Sequence, residues 1–266
     1  MVTTVNPLSG SPPEEVPLER APLVRVIAQL NFSDDLSIAN PDKVAPFQET
    51  LKSCYPFLKK EQIHQLSIAD LDSPVTSKAQ VVWRLMDRSK SWTISLSTNF
   101  LGVETTAYTS RSDFLEHLRS AVSALKHHFD PPEVSRLGIR YIDQITGLTI
   151  DQIAPMLREE VRGILGTSLA GSSLVTITES QFNLPDGRLV SRWGYLSKDV
   201  SIDPALLQPL DAPSWILDLD MSTSEPIDFS VVDNVNRAEA YAKRIYAMFR
   251  WAVNEDFLSH FGASQP

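Results

Sequence analysis

Arg136-Leu137-Gly138-Ile139-Arg140-Tyr141 is the stretch on which the fold turns. Apolar residues alternate with arginine and glycine, the period of a strand with one buried face. Laid over Arg25-Val26-Ile27-Ala28-Gln29-Leu30, it keeps the alternation in phase. After each stretch the chain reads helix, two or three antiparallel strands, helix. The expected class is therefore α+β: two pseudo-repeated halves of strand-helix-antiparallel strands-helix, with helices packed on one face of an antiparallel sheet. The first half covers residues 21–131 and the second 132–266. Residues 1–20 hold five prolines or glycines with Glu14 and Glu15 and read as a disordered N-terminal tail.

Outward from the two anchor strands, local signals predict the remaining elements. Val24, Val26, Ala28, Leu30 and Phe32 give a strand over 23–32. Asn40-Pro41 supplies an N-cap followed by proline at the first helical position, predicting a helix to about residue 53. Past a polar stretch, strands are expected over 80–86, 92–97 and 101–108. Ser110 with Asp113 forms a capping box for a helix to about 129, whose apolar stripe is Phe114, Leu118, Ala121, Val122 and Leu125. Residues 134–144 read as strand. Residues 149–165 read as mostly helical, with Pro155 limiting the first turns. A hairpin over 174–183 and 188–197 turns at Leu184-Pro185-Asp186-Gly187. A loop over 198–213 leads to a strand over 215–221. Asp233 caps a last helix carrying Ala238, Tyr241, Ala242, Ile245 and Phe249 on one stripe.

The chain has 266 residues and a net charge of −9, a balance that disfavours phosphate gripping as the main task. Cys54 is the single cysteine, which excludes an intramolecular disulfide and a thiolate zinc site and suits a reducing cytoplasm. The opening residues lack the pattern of a signal peptide, and no window has the apolar length of a membrane helix. The expected location is cytoplasmic, without membrane contact. The glycines are dispersed, and no phosphate-cradling loop opens a helix. His64, His117, His127, His128 and His260 are scattered without ligand spacing, so no metal and no cofactor is expected. No nucleophile elbow appears, and no catalytic residue is assigned.

The candidate binding residues are arginines. Arg136 and Arg140 share one strand face, with Gly138 between them to admit a ligand or another backbone. Arg84 and Arg192 lie opposite Trp83 and Trp193 in their own strands and could extend a basic sheet surface. The competing reading pairs Arg136 and Arg140 with Glu104, Glu179, Asp218 or Asp220 on neighbouring strands, as half-solvated sheet faces commonly do. Asp218 and Asp220 share a face but have no third ligand at metal spacing.

Several segments together resemble a known family. They are Pro22-Leu23-Val24, the Trp92 strand leading to Phe100-Leu101-Gly102-Val103-Glu104-Thr105, the Phe114 helix, Arg136-Leu137-Gly138-Ile139-Arg140-Tyr141-Ile142-Asp143, and the last helix through Phe249 and Glu255. They resemble the sporadically distributed, uncharacterised prokaryotic proteins of about 250 residues, except that Asp143 stands where asparagine is more usual. The resemblance implies no established activity. Its patchy distribution implies an accessory role, such as a defence or toxin-neutralising component.

The leading expectation is thus a non-catalytic interaction module with a protein partner. The alternatives are a nucleic-acid binder using Arg84, Arg136, Arg140 and Arg192, an apolar-ligand binder lined by Trp83, Trp92, Trp193 and Trp215, and an enzyme of unrecognised type.

Overall fold

Every long strand of this protein has one face that needs covering, and the cross-strand register shows how the need is met. In the computed structural model, which describes residues 6–67 and 76–263, the strands are β1 (Leu23–Asn31), β2 (Phe57–Ser67), β3 (Thr76–Met86), β4 (Trp92–Ser97), β5 (Phe100–Thr105), β6 (Glu133–Val134), β7 (Arg136–Thr146), β8 (Val175–Leu184), β9 (Gly187–Leu196), β10 (Ser214–Ser222) and β11 (Ile227–Asp228). Helices are α1 (Pro41–Leu51), α2 (Arg111–His128), the short α3 (Ile150–Ile153) and α4 (Glu159–Arg162), α5 (Val231–Ala252) and α6 (Glu255–His260). Nine strands form one sheet in the order β2-β3-β4-β5-β1-β7-β10-β9-β8, while β6 pairs with β11. The α+β class and the large antiparallel sheet agree with the sequence expectation. No described helix is long and apolar enough to cross a membrane.

By contacts the chain divides into two compact units that are not its sequence halves. One comprises Val26–Ile139 with Thr223–Glu239, the other Met1–Arg25, Arg140–Ser222 and Ala240–Pro266. The expected boundary at 131/132 therefore does not coincide with the division, because β1, β7 and α5 each contribute to both units.

In the first unit, side chains line up across strands. Trp83, Leu96, Leu101 and Leu30 are successive register partners, as are Leu85, Ile94, Val103 and Ala28. All are buried. The intervening row is Arg84, Ser95, Gly102 and Gln29, polar or without a side chain. The apolar rows lie under helices: the Trp83 indole donates to the Ile38 carbonyl at 2.7 Å, just ahead of α1, and Trp92 meets Phe114 of α2 at 5.8 Å between ring centroids. Both helix starts are capped as their sequences predict. Asn40 Oδ1 accepts from the Asp42 amide and Ser110 Oγ from the Asp113 amide, which satisfies amides that have no partner in the first turn.

The second unit holds the β8–β9 hairpin, β10 and most of β7, with the end of α5. Trp193 sits opposite Leu217, and its indole donates to the Val161 carbonyl at 3.0 Å. Close approach of the hairpin strands explains Gly194: a Cβ there would stand 1.7 Å from the Thr176 carbonyl oxygen, so only glycine fits.

Four expectations need correcting. The polar stretch after α1 contains β2, whose Lys59, Lys60, Glu61 and Gln62 have weak strand propensity but suit an edge. The expected helix over 149–165 breaks into α3, α4 and 3₁₀ turns, because Pro155, Gly163 and Gly166 interrupt it and Gly163 takes φ +49°. The start of α5 is capped by Ser230, whose Oγ accepts from the Asp233 amide at 3.3 Å, so Asp233 lies in the first turn instead. Residues 6–20 pack against the last helices rather than forming a tail. Leu8 is buried, the Val16 amide donates to Tyr246 Oη at 2.8 Å, Arg244 donates to the Leu8 carbonyl at 2.6 Å, and Leu18 bridges to Ala263. Residues 1–5 of that expected tail lie outside the described residues. The element order does not repeat one for one either: four strands, β2–β5, lie between α1 and α2, three, β8–β10, precede α5, and broken turns stand where α1 would recur.

Leu101 is fully buried within an apolar row, so Leu101→Ala is expected to lower unfolding free energy by about 2–5 kcal/mol, read from urea midpoints at constant slope. Asn40→Ala, which removes only a cap, should cost about 1 kcal/mol.

Candidate functional site

The sheet face opposite the apolar rows carries Arg84 in the first unit, and the face of Asp218 carries Arg140 and Arg192 in the second; register decides what each one meets. In the second unit, Asp218 on β10 stands opposite Arg192 on β9, and Arg192 opposite Glu179 on β8. Arg192 Nε donates to Glu179 Oε2 at 2.6 Å and its Nη1 to Asp218 Oδ2 at 3.3 Å. From β7, Arg140 grips the same carboxylate with two donors, Nε to Oδ1 and Nη2 to Oδ2, each at 2.7 Å. Its Nη1 donates to Asp203 Oδ2 at 3.1 Å, brought in by the loop before β10. Two guanidinium groups thus meet three carboxylates, a local excess of one negative charge.

Asp218 is the hub, its side chain only 1% exposed. A buried carboxylate is costly unless its charge is paired and its lone pairs are filled, and the two arginines do both. For Arg140, burial works to lower the pKa, but hydrogen bonds and charge from Asp218 and then Asp203 outweigh it and raise the value above the ordinary guanidinium range. Arg192 behaves alike: burial opposes, while Glu179 and Asp218 prevail. On the partner side, the Arg192 hydrogen bond holds the Glu179 carboxyl below its ordinary value.

The first unit has its own smaller network. Arg84 Nε donates to Glu61 Oε2 at 2.6 Å, its Nη1 to Ser95 Oγ at 2.9 Å, and Glu104 lies 3.8 Å from Nη1. Lys59 reaches the other Glu61 oxygen at 2.8 Å. The Lys59 and Arg84 hydrogen bonds lower the Glu61 pKa. Arg136 folds back along its own strand: a Cβ on Gly138 would lie 2.5 Å from Arg136 Nη1. That glycine's open side is filled by a neighbouring side chain rather than held clear for a ligand.

The four sequence-selected arginines are therefore not one basic surface. Arg140 and Arg192 share Asp218, Arg84 has separate partners, and Arg136 covers Gly138. Carboxylate pairing describes Arg84, Arg140 and Arg192: of the carboxylates considered for Arg136 and Arg140, Asp218 meets Arg140, while Glu179 meets Arg192 and Glu104 lies near Arg84, with Asp203 and Glu61 added. No local signal in the sequence ties Asp203, in an irregular loop, to Arg140. The tryptophans Trp83, Trp92, Trp193 and Trp215 are all buried.

Two groups missed by sequence reasoning stand out. Tyr55 Oη bonds His117 Nδ1 at 2.5 Å, and the imidazole stacks on Trp92 at 3.8 Å with Asp113 3.8 Å from Nε2. Burial lowers the His117 pKa and raises that of Tyr55. Both shifts favour the uncharged forms of the pair. Asp143 on β7 is 6% exposed, and burial pushes its carboxyl up to about 7. Among the described residues, no group of three or more His, Cys, Asp or Glu is placed to hold a metal ion. No family model and no curated protein matches this chain.

Removing Asp218 leaves Arg140 with only Asp203 and no bidentate partner, so Asp218→Ala should destabilise by about 3–5 kcal/mol. Glu179→Ala, at the solvated end of the network, should leave the unfolding midpoint nearly unchanged. For Asp143 the folded pKa lies above the unfolded one, so the proton binds the folded state more tightly. Its contribution is greatest below about pH 4, declines as pH rises towards 7 and then levels off. Asp143→Asn should gain stability over the wild type by roughly a few kcal/mol at pH 8 relative to pH 4, read from paired urea titrations at the two pH values.

Proposed function

We propose that the protein is a non-catalytic interaction module that meets a protein partner by strand addition along β8. The carrying observation is the contrast between the two ends of the nine-stranded sheet. β2, at one end, bears Lys59, Lys60 and Glu61, charges of the kind that keep an edge from pairing with other chains. β8, at the other, runs ten residues as Val-Thr-Ile-Thr-Glu-Ser-Gln-Phe-Asn-Leu with no proline or lysine. Its one charge, Glu179, is held by Arg192. Val175 and Ile177 are 45% and 42% exposed, and Leu174 just before them is 76% exposed. Among the described residues no strand pairs with its outer edge.

An edge strand presents backbone donors and acceptors in a row, and an extended segment satisfies them at one stroke while its alternate side chains cover apolar neighbours. The arginine networks support this reading over nucleic-acid binding. The donors of Arg84, Arg140 and Arg192 are spent on carboxylates, and a phosphate would have to displace Asp218 or Glu61 at a net charge of −9.

The test is affinity purification of the tagged protein from its native host at about physiological salt, with mass spectrometry and nucleic-acid staining of the eluate. The expected result is a stoichiometric protein retained by the wild type and lost from Ile177→Lys, which puts a charge on the edge without touching the core. Nucleic acid in place of protein, or retention unaffected by Ile177→Lys, would overturn it.

A further inference from the structure

Residues 6–20 pack against α5 and α6 as a strap, and side chains of α5 hold it chiefly by its main chain. Arg244 Nη1 donates to the carbonyls of Leu8 at 2.6 Å and Gly10 at 3.3 Å. Tyr246 Oη accepts from the Val16 amide at 2.8 Å and donates to the Glu14 carbonyl at 3.3 Å. Beyond Val16 the attachment becomes a short ladder: Leu18 bridges to Ala263, and the Glu19 and Arg20 amides donate to the carbonyls of Gly262 and Phe261. Between residues 6 and 17 Leu8 alone is buried, while Pro12, Pro13, Glu14 and Glu15 are all exposed. A segment with one apolar anchor opens far more easily than a strand in the middle of the sheet. Pro7, Pro12, Pro13 and Pro17 stiffen it, which favours movement as a unit.

Arg244 also stands beside a second acceptor. Its Nε lies 3.6 Å from Asp186 Oδ2, an ion pair too long for a hydrogen bond. Asp186 Oδ1 is buried and has no hydrogen-bond partner. The turn that carries Asp186 is fixed without help from the strap. Tyr241 Oη donates to the Asp186 carbonyl at 2.5 Å, and a Cβ on Gly187 would stand 2.3 Å from the Ser222 carbonyl oxygen. The carboxylate is thus a preplaced and incompletely paired partner for a guanidinium whose fork matches it but is engaged by the strap. A buried oxygen without a donor is costly, and a guanidinium released from the strap can supply that donor.

We propose that residues 6–17 open and close as one unit on α5, with Arg244 as a latch between two states. Closed, the guanidinium holds the carbonyls of Leu8 and Gly10. Open, it pairs with both oxygens of Asp186, and the seat of Leu8 and the Tyr246 hydroxyl become accessible. Asp186 therefore competes with the strap for Arg244. This fixes the sign of its effect: a carboxylate that only oriented Arg244 towards the strap would loosen the strap when neutralised, whereas a competitor tightens it.

The experiment is amide hydrogen exchange of the full chain, followed by NMR at Leu8, Val16 and the amides of β9 and β10, at several urea concentrations below the unfolding transition. The Leu8 and Val16 amides are expected to be protected and to exchange together through an opening that urea barely affects. Those of β9 and β10 should exchange through an opening that urea promotes steeply. Asp186→Asn, which keeps the carbonyl bonded by Tyr241, should slow strap exchange about threefold or more. Arg244→Ala should speed it about tenfold at both amides. Tyr246→Phe, read at Leu8, should speed it as well and serves if Arg244→Ala does not fold; an unchanged urea midpoint shows that each variant is intact. Strap amides that exchange without protection, strap amides that open only together with β9 and β10, or exchange unchanged or faster in Asp186→Asn would overturn the proposal.

Discussion

The cross-strand row Trp83, Leu96, Leu101 and Leu30 is the constraint on which the first unit depends. Four strands can present a continuous apolar strip only if their registers agree, since a one-residue slip would turn each apolar set towards solvent. Once that strip exists, α1 and α2 have one place to lie, and Trp83 and Trp92 tie them there. The polar row between the strips then falls on the opposite face, which is why Arg84 finds Ser95 beside it.

In the second unit the same alternation produces a different electrostatic outcome. Asp218 lies one residue from Leu217 and Leu219, both buried under the opposite face. Its own carboxylate is nearly as inaccessible, and only convergence of Arg140 and Arg192 makes that burial tolerable. The face of Asp218 is therefore filled by internal ion pairs and buried side chains rather than poised for a charged ligand. What remains unsatisfied is the margin of the sheet, where backbone groups and exposed aliphatic side chains coincide along β8. An outlying strand without charged protection is a liability in isolation and a recognition element when something pairs with it.

Legibility varied with the range of the interaction. Caps, turns and alternation act over a few residues, so Asn40, Ser110 and the hairpin turn at Pro185-Asp186 could be read directly. β2 was hidden because Lys59, Lys60 and Glu61 belong to an edge, and strand propensity measures fit to a half-buried interior position. The first residues looked mobile by composition. Leu8 and Val16 nonetheless find partners on α5 and Leu18 on Ala263 just past α6, contacts separated by more than two hundred positions along the chain.

Taken alone, the sequence determined the class of the fold, most of the strands and two of the helix caps, because each follows from periodicity and short-range hydrogen bonding. It did not determine which carboxylate each arginine meets. Asp203 reaches Arg140 from a loop, and Arg140 and Arg192 approach Asp218 from the strands on its two sides. Those pairings, the docking of residues 6–20 and the exposure of β8 depend on strand order and on where loops return. Such long-range closures are set by the packing of the whole chain, and no local pattern encodes them.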